Sequence, residues 1–576
     1  MDRADFVIKH VSIYNTVFQQ FYLADVYVKN GKIYYVDTKQ DAQIVCDQII
    51  DGTNKFMVPG LVDVHMHIES SMMTPNAMAR RLVECGVTTI ISEPHEIANV
   101  NGLQGVKDMM EAGKDALIDI YYGIPSCVPA TTPELETTGG VMEAEDMKAL
   151  LDHPSVACIG EVMNYRQVIK ENTLAIGKLL DYLGKERPDY IIEGHCPALV
   201  DLDLAKFLYL GIDSDHTEHN IEELKQRFFN GMYVELQEKM MRPEIIKFIM
   251  EHNLYGHFGF VTDDVMADTL MEAGHLDAVV REAVTLGMPI EKAIYHATYT
   301  NAMRMRLFDR TMLTPGKLAD FILLDNLDEF SICATYKKGK CVYEKGQPMQ
   351  HQDESMVFPD SYRHSIHVQP ITTKDVTLMT EFDAKQVCVE VMEVNDGTTK
   401  TTHQQAILPC ENREIMWEDS NLLLCMVIER YGKHSDHVQI GYGFVSGDCI
   451  KEGAVATSFA HDHHNLLAVG KTKEDIVKAV NHVIEMQGGF CVVLDDKIQA
   501  TLQLPVGGIL SDAPAKEIAQ DLLAVRTAMI KQGYQHYNPI MSLCTLSLLC
   551  SPALKISDQG IVDVKKGEVI TLYKAC

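Results

Sequence analysis

Apolar and polar positions along the chain change period in blocks. From residue 6 to 57 they mark short strands at 6–8, 11–14, 24–28 and 32–36. Asn30-Gly31, between the last two, is the pair that a tight hairpin with two positive φ angles selects. Strand patterning returns at 317–347, in 319–324 and 336–343. Between these stretches, brief apolar runs alternate with helical periodicity. The runs surround His65 and cover 88–92, 116–122, 156–160, 190–195, 211–216, 232–236 and 259–264. Eight such units over about 250 residues predict an α/β fold with a (β/α)8 TIM-like barrel. The barrel, at 58–310, is inserted in a small β-sandwich domain made of 1–57 and 311–350. A loop-rich stretch at 348–372 leads to a C-terminal α+β domain, 365–576, which mixes strand patterns near Cys388 with a helical one across 475–484.

Barrel enzymes carry their chemistry where strands end, and here six of the eight apolar runs lead into a residue able to bind a cation. His65-Met66-His67 closes the first run, and residues two apart on a strand face the same way. Glu93 and His95 follow the second run, Glu161 the fourth and His195 the fifth. Asp215, His216 and His219 follow the sixth, and Asp263-Asp264 the eighth. Nitrogen and oxygen donors without thiolate suit zinc, manganese or iron. A carboxylate such as Glu161 can bridge two ions, which favours a binuclear divalent centre. Two metals can make hydroxide available at neutral pH, and Asp263 beside it would accept and pass on its proton. This is hydrolytic chemistry.

Composition narrows the partners. Basic residues number 51 against 81 acidic ones, a net charge of −30, which disfavours nucleic acid and anionic membranes and leaves a small molecule. The 15 cysteines include no C-x-x-C pair, no secretory signal opens the chain, and no run approaches a membrane span. A reducing cytoplasm is the expected setting, and a homodimer the expected assembly.

The runs His65-Met-His-Ile-Glu-Ser-Ser-Met-Met-Thr-Pro75, Glu93-Pro-His-Glu-Ile-Ala-Asn-Val100, Gly160-Glu-Val-Met163, Gly194-His195, Ser214-Asp-His216 and Thr262-Asp-Asp264 resemble the amidohydrolase superfamily and, within it, the adenine deaminases. Ala460-His-Asp-His-His-Asn465, Leu504-Pro-Val-Gly-Gly508 and Ser511-Asp512 extend the resemblance through the C-terminal half. It implies metal-dependent hydrolytic deamination of adenine to hypoxanthine and ammonia, that is, hydrolysis of a cyclic amidine C–N bond. It also implies His65, His67, Glu161, His195, His216 and Asp263 as metal ligands, with Asp263 as proton shuttle and Glu93 as the acid that protonates a ring nitrogen. Glu93, His95, Glu238 and Lys239 become the substrate-facing set.

The family has Asp where Glu93 stands, Glu where Thr217 stands, and Ile-Arg-Glu-Gly where this chain reads Leu236-Gln-Glu-Lys239. Losing that arginine removes a rigid hydrogen-bonding fork that Lys239 does not replace. These departures keep open an N6-substituted adenine or other amino-heterocycle as substrate, or a purine-binding homologue with weak catalysis. Two alternatives also stand at the level of residues. His219 competes with His216 as the sixth-strand ligand. His461, Asp462, His463 and His464 belong either to a solvated turn or to a segment that reaches over the site or holds an extra ion.

Overall fold

The computed structural model describes residues 2–170, 173–197, 199–349, 358–381, 383–434 and 437–576. The long strand Arg3–Asn15 organises the N-terminal sheet. Gln20–Lys29 pairs antiparallel along its length, with a register shift between Ile8 and Val11 where His10 turns to φ 58°. Its first half pairs parallel with Val45–Asp51, and its second half with Phe56–Pro59. Asn30 and Gly31 take φ 52° and 72°, the two positive angles of the predicted hairpin. Phe56–Pro59 continues antiparallel onto Phe321–Asn326, then Ser331–Lys337 and Lys340–Glu344. Two segments far apart in sequence thus complete one eight-stranded sheet. Residues 350–357, at the predicted end of this region and within the loop-rich stretch, lie outside the described residues.

Eight parallel strands follow: Leu61–Met66, Val87–Ser92, Asp119–Ile124, Val156–Val162, Ile192–Gly194, Ser214–Asp215, Tyr233–Leu236 and Phe258–Phe260. The first five form one sheet and the last three another. Gly194 N donates to Ser214 Oγ at 3.1 Å across one junction. A parallel bridge between Met66 and Asp263 closes the other, with Asp263 N donating to His65 O at 3.1 Å. The barrel is closed, with helices outside.

Several strands differ in extent from their apolar runs. The third begins at Asp119 instead of 116, because Ala116, Leu117 and Ile118 pack into the core from the preceding loop. The sixth has two residues, Ser214–Asp215, where the run spans 211–216. Hydrophobicity marks burial, and a buried loop approach satisfies it as well as a strand does.

Beyond the barrel, a ten-stranded mixed sheet carries helix Lys473–Glu485. That helix is capped by Thr472, whose hydroxyl accepts from Asp475 N, and it buries Ile476, Ala479, Val480, Val483 and Ile484, the stripe its period predicts. The domain rests on the barrel mouth. Arg526 binds Asp268 at 2.7 Å, and Ser511 N donates to Met72 O at 2.8 Å. The Glu-Ser-Ser-Met-Met run makes that second contact possible: Glu69–Ser71 forms one tight helical turn, and Met72 leaves it at φ 59°. Among the described residues, no helix is long and apolar enough to cross a membrane.

Candidate active site

The strand-end residues converge. His67 Nδ1 donates to Glu93 O at 3.0 Å, which fixes the tautomer and leaves the Nε2 lone pair facing inward. That Nε2 lies 3.5 Å from Glu161 Oε1 and 3.6 Å from Asp263 Oδ1. His65 Nε2 is 3.8 Å from Asp263 Oδ1, and its ring stacks on His216 with centroids 3.8 Å apart. On the far side, Glu161 Oε2 sits 2.6 Å from His195 Nδ1 and 3.2 Å from His216 Nε2. Glu161 therefore gives one oxygen to the His67 side and the other to the His195 and His216 side.

This donor set fits divalent cations. Metal–ligand bonds of about 2.0–2.2 Å place neighbouring donors about 3 Å apart, close to the spacings found here. His65 Nε2 is buried with no hydrogen-bond partner, as a ligand nitrogen facing a cation would be. His216 Nδ1 faces Glu235 at 4.0 Å, a carboxylate placed behind a ligand imidazole.

Electrostatics divides the carboxylates into two kinds. Burial alone would raise the pKa of Asp263, but His65, His67 and Lys239 outweigh it and hold the carboxyl well below the usual range. Burial is likewise outweighed at Glu161, by His195 and His216. Glu93 goes the other way: burial and the neighbouring Glu161 charge push it well above the usual range. Its Oε2 accepts from Glu161 N at 3.0 Å, and its Oε1 has no hydrogen-bond partner among the described residues. A β-carbon at residue 160 would lie 2.4 Å from Glu93 Cδ, so only glycine fits beneath this side chain. Carboxyls with opposed shifts are the arrangement from which an acid and a base can act together.

Asp263 sits at φ 59°, the left-handed region that non-glycine residues seldom occupy. The turn aims both oxygens usefully. Oδ1 faces His65 and His67, and Oδ2 accepts from Gln237 Nε2 at 2.9 Å. Lys239 Nζ stands 3.8 Å from the same Oδ2. Glu238, on the same turn, is exposed and makes no hydrogen bond or ion pair with these groups among the described residues.

His216 stands inside the cluster and His219 does not; His219 Nε2 lies 2.8 Å from Asp215 Oδ2, in a buried knot with Arg227. His95 flanks Glu93 and Glu161, its Nδ1 3.9 Å from each. The solvated-turn reading of 461–464 fails, because all four residues are buried. They reach Glu96, whose Oε1 is 2.8 Å from His461 Nδ1 and whose Oε2 pairs with His464 Nε2. His463 Nδ1 accepts from Asn465 N at 3.0 Å and braces the turn from within. Gln237 and Glu96 have no role assigned from the sequence. For Gln237 the available signal was its position, the first residue after the seventh strand.

Comparison with known proteins covers the whole chain. Residues 56–257 match the amidohydrolase family, and residues 398–568 match the adenine deaminase C-terminal domain. An adenine deaminase of Clostridium perfringens (strain 13 / Type A) is 42% identical over 576 residues, spanning 99% of each chain. Adenine deaminase 2 of Shouchella clausii is 42% identical over 99% of each chain, and adenine deaminase 2 of Oenococcus oeni 41% over 100% of each. Among solved structures, a zinc-bound adenosine deaminase from Xanthomonas campestris superposes with a TM-score of 0.46 at 13% identity, covering 62% of this chain and 96% of that one.

Proposed function

The chain belongs to the adenine deaminase family of amidohydrolases, and from that premise we propose how its residues divide the work of converting adenine and water to hypoxanthine and ammonia. The enzyme is a hydrolase acting on the C–N bond of adenine. The carrying observation is the position of Glu161 between two groups of donors, flanked by one carboxyl whose pKa is lowered and one whose pKa is raised.

His65, His67 and Asp263 would hold one cation, His195 and His216 a second, and Glu161 would bridge them; manganese, iron and zinc all suit this set. A divalent cation supplies Lewis acidity at this position and lowers the pKa of water from 15.7 to about 7. Asp263, ionised at neutral pH, takes the proton from water as its oxygen attacks the purine carbon that bears the amine. Glu93, which burial and the Glu161 charge push toward its protonated form, donates to the adjacent ring nitrogen and so accommodates the electrons displaced from the C=N bond. Asp263 then returns its proton to the amine; as the C–N bond breaks and ammonia leaves, the attacking oxygen becomes the carbonyl and its remaining proton restores Glu93. Gln237 and Lys239 keep Asp263 oriented, and His95 borders the substrate space beside Glu93.

Relatives named as adenine deaminases at 42% identity over the full chain support adenine as the substrate, and no observation here favours a modified base. The fifteen free cysteines support a cytoplasmic setting. A homodimer draws support from exposed Leu202, Tyr209 and Phe229 on two helices joined by the bond from Asp201 N to Gln226 Oε1 at 2.7 Å. The deciding assay is ammonia release from adenine and N6-substituted adenines by the metal-loaded protein. Turnover of adenine is expected. Release from modified bases alone, or tight binding without release, would overturn the reading.

A further inference from the structure

We propose that a separate divalent cation site, made by His95, Glu96, His461 and Asp462, joins the barrel to the C-terminal domain. The His95 ring faces both centres. Its Nδ1 looks toward Glu93 and Glu161, whereas Nε2 lies 3.6 Å from Glu96 Oε1 and 4.0 Å from Asp462 Oδ1. From the other side, His461 Nδ1 lies 2.8 Å from Glu96 Oε1 and 3.5 Å from Asp462 Oδ1. Two nitrogens and two oxygens alternate around one small space. A tetrahedral ion with bonds of about 2.0–2.1 Å has donor–donor edges of about 3.3 Å, which falls inside the observed spread.

The surroundings call for a positive charge. His95 and His461 are each 5% exposed, Asp462 3% and Glu96 1%, so two carboxylates share a space from which water is excluded. Asp462 Oδ2 has no hydrogen-bond partner among the described residues. Glu96 is held from behind by His464, the kind of contact that orients a ligand carboxylate. Two imidazoles with two carboxylates and no thiolate select zinc, manganese or iron over calcium or magnesium. The site would staple the C-terminal domain onto the barrel mouth, and it does not depend on the hydrolytic reading of the neighbouring centre.

Full-length protein is stripped with a chelator, reloaded with zinc alone and desalted; bound zinc is then measured, and crystals are examined at the zinc edge. An anomalous peak bounded by His95 Nε2, Glu96, His461 Nδ1 and Asp462 is expected, apart from any peaks at Glu161. Asp462→Asn should lose one zinc per chain relative to wild type, and Glu96→Gln should do the same. Asp263→Asn should keep the peak at Asp462. Wild-type crystals with peaks at Glu161 and none here would overturn the proposal and leave the barrel centre standing, whereas the reverse pattern would overturn the barrel centre alone. Full zinc retention in folded Asp462→Asn would also overturn it, and if that variant does not fold, the wild-type map decides.

Discussion

Gln237 donates to Asp263 Oδ2 at 2.9 Å, which turns the other oxygen of that carboxylate toward His65 and His67. The same amide donates to His216 O at 2.9 Å, so one side chain ties the sixth and eighth strand ends together. Gln237→Leu should lower metal affinity or turnover 10- to 100-fold, the usual scale for a residue that orients a ligand. Metal titration and steady-state kinetics on the folded variant check this. An unchanged variant would mean that Asp263 is positioned by the backbone alone.

Asp263→Asn retains the shape of the side chain and removes its basicity. Turnover of adenine is expected to fall on the order of 100- to 10,000-fold, while circular dichroism stays that of the wild type. Near-full activity would remove Asp263 from the proton path.

Glu93 is needed protonated, and burial beside the Glu161 charge raises its pKa. Activity should therefore decline as pH rises through that pKa, giving an alkaline limb in kcat/KM. Glu93→Gln cannot release a proton. It should lower kcat on the order of 100-fold or more and flatten this limb, with KM changed little. The pH–rate profile of the variant against wild type is the measurement.

Removing metal should both stop turnover and soften the fold. Binding to the native state alone contributes about 2.7 kcal/mol at a free cation concentration 100 times Kd. Chelation should lower Tm, and added manganese, iron or zinc should restore it. His67→Ala should bind less metal by elemental analysis; an unchanged content would exclude His67 as a ligand.

His296 gives a pH dependence unrelated to the metal centre. Its buried ring stacks on Phe258 at 3.8 Å, and its Nδ1 donates to Phe258 O at 3.2 Å. Burial pushes its pKa down to about 3. The unfolded chain takes up a proton near pH 6.5, and the folded one does not until about pH 3. The stabilising contribution is thus complete above pH 6.5 and is lost as pH falls toward 3. His296→Gln should reduce the acid-side slope by up to about 1.4 kcal/mol per pH unit, read from urea unfolding between pH 5 and 7.

The barrel was legible because its signals are local. Period-two patterning put His65 and His67 on one side of a strand, and Glu161 and His195 followed apolar runs directly. The choice between His216 and His219 was not local: it depends on Arg227 and Asp215 drawing His219 into their own network. At Gln237 the sequence shows an uncharged amide in place of the family's arginine, and nothing local tells that it donates to Asp263 and to His216 O. The turn at 461–464 reads equally well as a solvated turn or as a segment over the site. Only the docked sheet shows that its imidazoles meet Glu96, 368 positions earlier for His464.

Phe56–Pro59 finds its outer partner in Phe321–Asn326. During synthesis, therefore, that edge stands bare while the entire barrel emerges, exposing unpaired backbone that could recruit a neighbouring nascent chain. Such long-range pairing is slow to form, so the last step of assembly for the first half of this protein must wait for residues beyond 321. Slowing or shielding that interval should therefore raise the yield of folded enzyme.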